Sequence, residues 1–148
     1  MLLRDLSESR KKACYYLERY VDILKLQISS IEKGDIDSLV LQTKAAGESI
    51  SYTASYKKTA DALWKDLTGC QIIESDTDFR EQQLFSADFE RLASESSRLN
   101  RVCSDKLRKL MEKHTSRLES VKQTLSGIDK TAAHDVDIHP PQMLDISI

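Results

Sequence analysis

The C-terminal half of the chain carries one apolar stripe with helical spacing that continues from Phe79 to Ile128. Most of its members recur at intervals of three, four and seven residues, and mostly Ser, Arg, Lys, Glu and Asp separate them. No Pro or Gly interrupts residues 79–126, so the pattern predicts one helix of about 50 residues, roughly 75 Å long. The stripe consists of Phe85, Phe89, Leu92, Leu99, Cys103, Leu107, Leu110, Leu118, Val121, Leu125 and Ile128.

The first half of the chain predicts two shorter helices joined by a tight turn. Apolar positions recur with helical spacing over residues 2–32 and again over residues 36–67. Between them, Gly34 can adopt the left-handed conformation that ends a helix, and Asp35 can accept hydrogen bonds from the next first turn. A turn this short folds the second helix back antiparallel to the first.

Two further features concern the ends of the bundle. Asp78 and Glu81 lie three residues apart and are expected to form a reciprocal cap at the start of the third helix. Trp64, the only tryptophan, is expected to close one end of the bundle core.

These elements predict an all-α fold, an elongated antiparallel three-helix bundle or coiled coil over residues 1–128. Its helices are expected at about 2–32, 36–67 and 79–128, so the third is longer than its neighbours can cover. The uncovered part is expected to be its C-terminal half, where exposed apolar side chains would mark an interaction site. Residues 129–148 contain Pro140-Pro141, which forbids helix, and predict a flexible tail that ends in an alternating apolar segment. This tail either folds back over its own bundle or binds a partner as an extended segment. The candidate partner-binding residues are Leu107, Leu110, Met111, Leu118, Val121, Leu125, Ile128, Met143, Leu144 and Ile146.

The composition fits a helical bundle better than a large globular core. Of 148 residues, 31% are charged and only 6% are aromatic. The net charge of −2 gives no general attraction to nucleic acid or to an anionic membrane. Three cysteines without a CxxC motif indicate neither a disulfide framework nor a zinc site. With no signal peptide and no apolar run of transmembrane length, a cytoplasmic protein is expected.

The charges are unevenly distributed along the predicted third helix. Residues 98–122 contain eight basic side chains and three acidic ones. A solvated face with internal ion pairs explains this pattern, and a basic face for an acidic partner is the alternative.

The chain lacks the usual signatures of catalysis or cofactor binding, so no enzyme, metal or cofactor is expected. It has no glycine-rich phosphate loop and no Glu-x-x-His pair, and His134 and His139 lie in the predicted tail. His114-Thr115-Ser116-Arg117 partly matches the His-x-x-Lys/Arg-Gly motif of histidine phosphotransfer bundles. Leu118 stands where that motif needs a small residue and would crowd the phosphate donor.

The order of elements resembles the FlgN-type flagellar export chaperones, a group with FliT-like relatives. A long first helix leads into Gln27-Ile28-Ser29-Ser30-Ile31-Glu32-Lys33-Gly34-Asp35-Ile36-Asp37-Ser38-Leu39, and the long third helix contains Leu99-Asn100-Arg101 and Leu107-Arg108-Lys109-Leu110. The resemblance covers residues 6–128, although Gly127 lacks the tyrosine that often precedes it in the family. It implies a small cytosolic chaperone that binds hook–filament junction subunits, prevents their premature polymerisation and delivers them to the flagellar type III export gate. It also implies that the client binds toward the C-terminus, from about Leu107 to Ile128 and the tail.

A second class of function stays open beside the chaperone. A homo-oligomeric coiled-coil scaffold would use the same apolar row to pair with a second copy, and the sequence is compatible with a monomer or a homodimer. A histidine phosphotransfer protein is the third hypothesis.

Overall fold

Three α-helices form the described part of the chain in this computed structural model, which covers residues 1–72 and 75–135, with side chains as far as Ile128. Helix α1 spans Leu2–Lys33, α2 spans Ile36–Gly69 and α3 spans Asp76–Asp135. No strand occurs in these two ranges, which confirms the all-α prediction. The chain divides into two compact units, Met1–Leu107 and Arg108–Ile148.

The turn between α1 and α2 is built as the sequence predicts. Gly34 has φ 69°, and its N–H donates to the carbonyl oxygen of Ile31 at 3.1 Å, while the N–H of Asp35 donates to that of Ser30 at 2.9 Å. This pair of bonds satisfies two carbonyls that a helix end leaves without partners. The Asp35 carboxylate accepts bonds from the Ser38 amide at 3.1 Å and the Ser38 hydroxyl at 2.7 Å, and these bonds lower the pKa of Asp35.

The start of α3 differs from the prediction. The helix begins at Asp76 rather than Phe79, and its cap is Ser75 rather than Asp78. The Ser75 hydroxyl accepts a bond from the Asp78 amide at 3.2 Å and donates to the Asp78 carboxylate at 2.6 Å. The cap therefore starts three residues earlier than expected, because Ser75 is an equally good capping residue, and the Asp78 carboxylate meets the Ser75 hydroxyl instead of a backbone amide.

The end of α3 also differs from the prediction. Gly127 was expected to precede a change from helix to tail, yet the helix continues through it to Asp135. One interior glycine costs a helix only about 1 kcal/mol relative to alanine, and the eight helical residues that follow it include the strong helix formers Lys130, Ala132 and Ala133. Residues 129–135 of the predicted tail are thus helical, and residues 136–148 lie outside the described part of the chain.

The three helices of the first unit run up, down and up. Gln27 donates to Thr43 at 3.1 Å and Ser30 donates to Gln42 at 2.9 Å, so α1 and α2 are antiparallel. Between α1 and α3, Asn100 donates to the Tyr20 hydroxyl at 2.8 Å. Further along, Lys106 pairs with Glu32 at 2.7 Å, so α3 up to this point runs parallel to α1.

The core of the first unit consists of two apolar clusters stacked along the helices. One contains Leu6, Ala13, Ala60, Leu67 and Phe85, and the other Leu17, Val21, Leu24, Leu92 and Leu99. Trp64 is half-buried against the first cluster and meets the ring of Phe79 edge-on at 5.4 Å, near the end of the bundle where it was expected. Most of the large buried side chains come from α1 and α3, whereas α2 contributes Leu67 and small residues such as Ala46 and Ala60.

A buried cation joins all three helices. The guanidinium of Arg10 on α1 lies 5.2 Å from the ring centre of Trp64 on α2 and 5.7 Å from that of Phe85 on α3. It also donates to the Gln82 side-chain oxygen, whereas its buried Nε has no hydrogen-bond partner among the described residues. Burial lowers the pKa of Arg10, and the charges of Glu81 and Asp78 raise it. The arginine is therefore held mainly by aromatic faces and one amide.

Candidate partner-binding site

A row of apolar side chains is exposed along α3 after Leu107, where the sequence predicted a binding surface. Met111 is 62% exposed, Leu118 51%, Val121 57% and Ile128 57%, and Leu110 and Leu125 are half-buried. Met111, His114, Leu118, Val121, Leu125 and Ile128 alternate in spacing by three and four residues, which places them on one face of the helix. We call these six residues the α3 seam.

The apolar side chains of α3 are buried in its first part and exposed in its second part, although both parts have the same helical period. Phe85, Leu92 and Leu99 are buried in the first unit, where α1 and α2 supply partners. In the α3 seam, no large apolar residue is buried. Fully burying such a side chain contributes roughly 1.5–3 kcal/mol to the free energy of folding or binding. The exposed side chains of the seam therefore contribute little to folding and remain available to stabilise a complex.

Four of the predicted site residues lie elsewhere. Leu107 belongs to the first unit, is 37% exposed and lines a cavity of about 130 Å³ together with Ile31, Leu39 and Cys103. Met143, Leu144 and Ile146 lie outside the described residues.

The flanks of the α3 seam are basic. Arg117 and Lys122 occupy the positions that border the seam on its two sides, and neither forms an ion pair within the described residues. The acids of this segment, Glu112 and Glu119, lie on the far side of the helix by its 100° rotation per residue. Glu112 accepts a bond from Arg108 at 3.4 Å.

A groove in the first unit is a feature that the apolar pattern did not reveal. It has a volume of about 500 Å³ and runs between α2 and α3 over Leu17, with Ile50 and Phe89 among its walls. The groove exists because facing positions carry small residues, such as Ala54, Ala93 and Ser97. The signal in the sequence was the small and polar character of the α2 stripe, which leaves space beside a neighbouring helix.

The side chains with chemical reactivity are dispersed. Cys70 is exposed, whereas Cys14 and Cys103 are half-buried, and burial raises the pKa of both of these thiols. His114 is exposed in the α3 seam, with Leu118 one turn further on. In the described ranges, no three His, Cys, Asp or Glu side chains are grouped closely enough to hold a metal ion.

Comparisons with protein-family models, with curated proteins and with solved structures find no match to this chain. None of the helices within residues 1–72 and 75–135 combines the length and the apolar character needed to cross a membrane.

Proposed function

We propose that this chain is a cytosolic export chaperone of the FlgN type. In this role it binds hook–filament junction subunits, keeps their terminal helices from polymerising and delivers them to the flagellar type III export gate. The client supplies a helix that packs on the α3 seam, in the manner of an amphipathic helix in an apolar groove.

The exposure of the α3 seam is the observation that carries the proposal. The first unit has its own pair of apolar clusters, and none of their residues comes from the seam. A row of half-exposed Leu, Val, Ile and Met side chains costs solubility and contributes little to the stability of an uncovered helix. Its spacing suits a partner helix, and the resemblance in residues 6–128 supplies the class of client.

Substitution of an acidic residue into the seam tests the proposal. Leu118→Asp and Val121→Asp are each expected to weaken the complex with a purified hook–filament junction subunit at least about tenfold, because each places a carboxylate in a dry contact. Size-exclusion chromatography and isothermal titration calorimetry measure the complex, and circular dichroism checks that the helix content is unchanged.

Leu41→Asp is the matched control. Leu41 is 70% exposed on α2 and lies outside the seam, so the same chemical change there should leave the affinity intact. No binding of the subunit by the unmodified chain, or equal losses in all three variants, would contradict the proposal.

A further inference from the structure

The charges that border the α3 seam carry information about its partner. In paired helices, the residue before the first member and the residue after the second member of each three-residue step of the seam (111/114, 118/121 and 125/128) face the corresponding positions of the other helix. On the described part of the seam these positions are Leu110, Thr115, Arg117, Lys122 and Thr124. Both of the charged ones are cations, and both lack an intramolecular ion pair within the described residues.

Self-pairing that overlays the whole seam brings no carboxylate to these two cations. In a parallel pair of seams, Arg117 of each copy faces Lys122 of the other, and this like-charge contact occurs twice by symmetry. In the antiparallel pair that overlays the seams, with Leu118 opposite Val121, both cations face threonines. Neither arrangement offers a carboxylate to Arg117 or Lys122.

A partner helix with acidic flanks offers a carboxylate to both Arg117 and Lys122. Glu or Asp at its bordering positions would meet Arg117 on one side of the seam and Lys122 on the other, while its apolar row covers the seam. Such complementary pairs select partner and orientation, and like-charge contacts reject wrong partners.

We infer that the α3 seam binds an amphipathic helix of another protein whose apolar row is bordered by Glu or Asp, and that it does not bind a second copy of this chain. The inference rests on the proposed function only in taking a client helix as the occupant.

Two synthetic peptides test this inference on the full chain. Both carry leucine at the seam positions of five turns of helix, and the bordering positions are Glu in one peptide and Lys in the other. Fluorescence anisotropy is expected to give about tenfold tighter binding of the Glu peptide at low salt, and the difference should shrink as salt screens the charges.

Charge reversal provides the matched comparison. The double variant Arg117→Glu/Lys122→Glu should reverse the preference, so that the Lys peptide binds more tightly. The double variant Lys109→Glu/Lys113→Glu makes the same change in net charge on the side of the helix away from the seam, and it should keep the preference for the Glu peptide. Equal binding of the two peptides, or an equal shift in both double variants, would overturn the inference.

Self-association is the second measurement. Sedimentation equilibrium of the full chain should show no dimer that depends on the seam. A dimer that Leu118→Asp dissociates and Leu41→Asp leaves intact would overturn the inference.

These results separate the two proposals. If the Glu peptide is preferred but the purified hook–filament junction subunit does not bind, the inference stands and the proposed function fails. If the subunit binds and the peptides are not distinguished, the proposed function stands and the inference fails.

Discussion

At the residue scale, the environment of a side chain overrides what its type suggests. Arg10 is charged, yet it is only 8% exposed and lies between aromatic rings of two other helices. In the sequence, the burial of Arg10 is indicated only by its position between Leu6 and Ala13, which lie on the same inner face of α1. The two glycines Gly34 and Gly47 differ in backbone conformation, since Gly34 has a positive φ and Gly47 lies inside a regular helix.

Replacing Arg10 tests whether its aromatic contacts stabilise the bundle. Arg10→Ala is expected to lower the free energy of unfolding by about 1–3 kcal/mol, because it removes two cation–π contacts, one hydrogen bond and buried packing. Arg10→Lys should recover only part of this, since an ammonium group lacks the planar face that stacks on a ring. Urea unfolding measures the effect, and Arg19→Ala, on the exposed side of α1, should change stability by less than about 0.5 kcal/mol.

Alanine at the two glycines should have opposite effects. An added Cβ meets nothing within 4 Å at either position, so steric contact does not distinguish them. Gly34→Ala forces a positive φ on an L-residue and should cost about 1 kcal/mol, while Gly47→Ala removes unfolded-state entropy and should add about 0.5–1 kcal/mol. Thermal unfolding of both variants checks the signs, and a change of the same sign in both would contradict the assignment of Gly34 to the left-handed turn.

At the scale of elements, the two halves of α2 contact the rest of the bundle through different kinds of interaction. Its C-terminal half places Ala60, Leu67 and the half-buried Leu63 and Trp64 against an apolar cluster. The N-terminal half contacts α1 through hydrogen bonds, with Gln27 and Ser30 meeting Thr43 and Gln42. Polar contacts contribute less net stability than the burial of large apolar side chains, so the two halves should differ in local stability.

Hydrogen exchange is expected to report this difference. Amides of residues 39–50 should exchange faster than those of residues 56–67, because opening the N-terminal half of α2 exposes little apolar area. Mass spectrometry of exchanged peptides measures the rates. Equal protection along α2 would show that the helix opens only as one unit, contrary to this account.

At the scale of the whole molecule, the two apolar clusters lie entirely within Met1–Leu107. The seam and its basic flanks lie within the second unit. The residues of the apolar clusters and those of the proposed binding surface therefore lie in different parts of the chain, and acidic substitutions in the seam are expected to leave the bundle folded.

Truncation tests the separation. A fragment of residues 1–107 is expected to unfold cooperatively, with a thermal midpoint within about 5 °C of the full chain, because it retains every residue of both clusters. It should also lose binding of the Glu-flanked peptide. Calorimetry and anisotropy give the two readings, and a fragment without a cooperative transition would mean that residues beyond Leu107 stabilise the bundle.

The sequence by itself determined the all-α class, the three helices, the turn at Gly34-Asp35 and the face on which each apolar row lies. It could do so because helical period, capping residues and glycine conformation act over a few neighbouring residues. Local signals failed where two residues compete for the same role, as Ser75 and Asp78 do at the start of α3, or where a weak breaker such as Gly127 is outweighed by its neighbours.

Only the tertiary structure decided which part of each row is covered. Leu92 and Leu118 belong to the same stripe, but one is buried against α1 residues and the other is half-exposed. The burial of Arg10 and the groove beside Ala54 depend in the same way on side chains contributed by other helices. The physical reason is that burial is a property of contacts between segments distant in the chain, whereas the period of a helix records only the direction in which a side chain points.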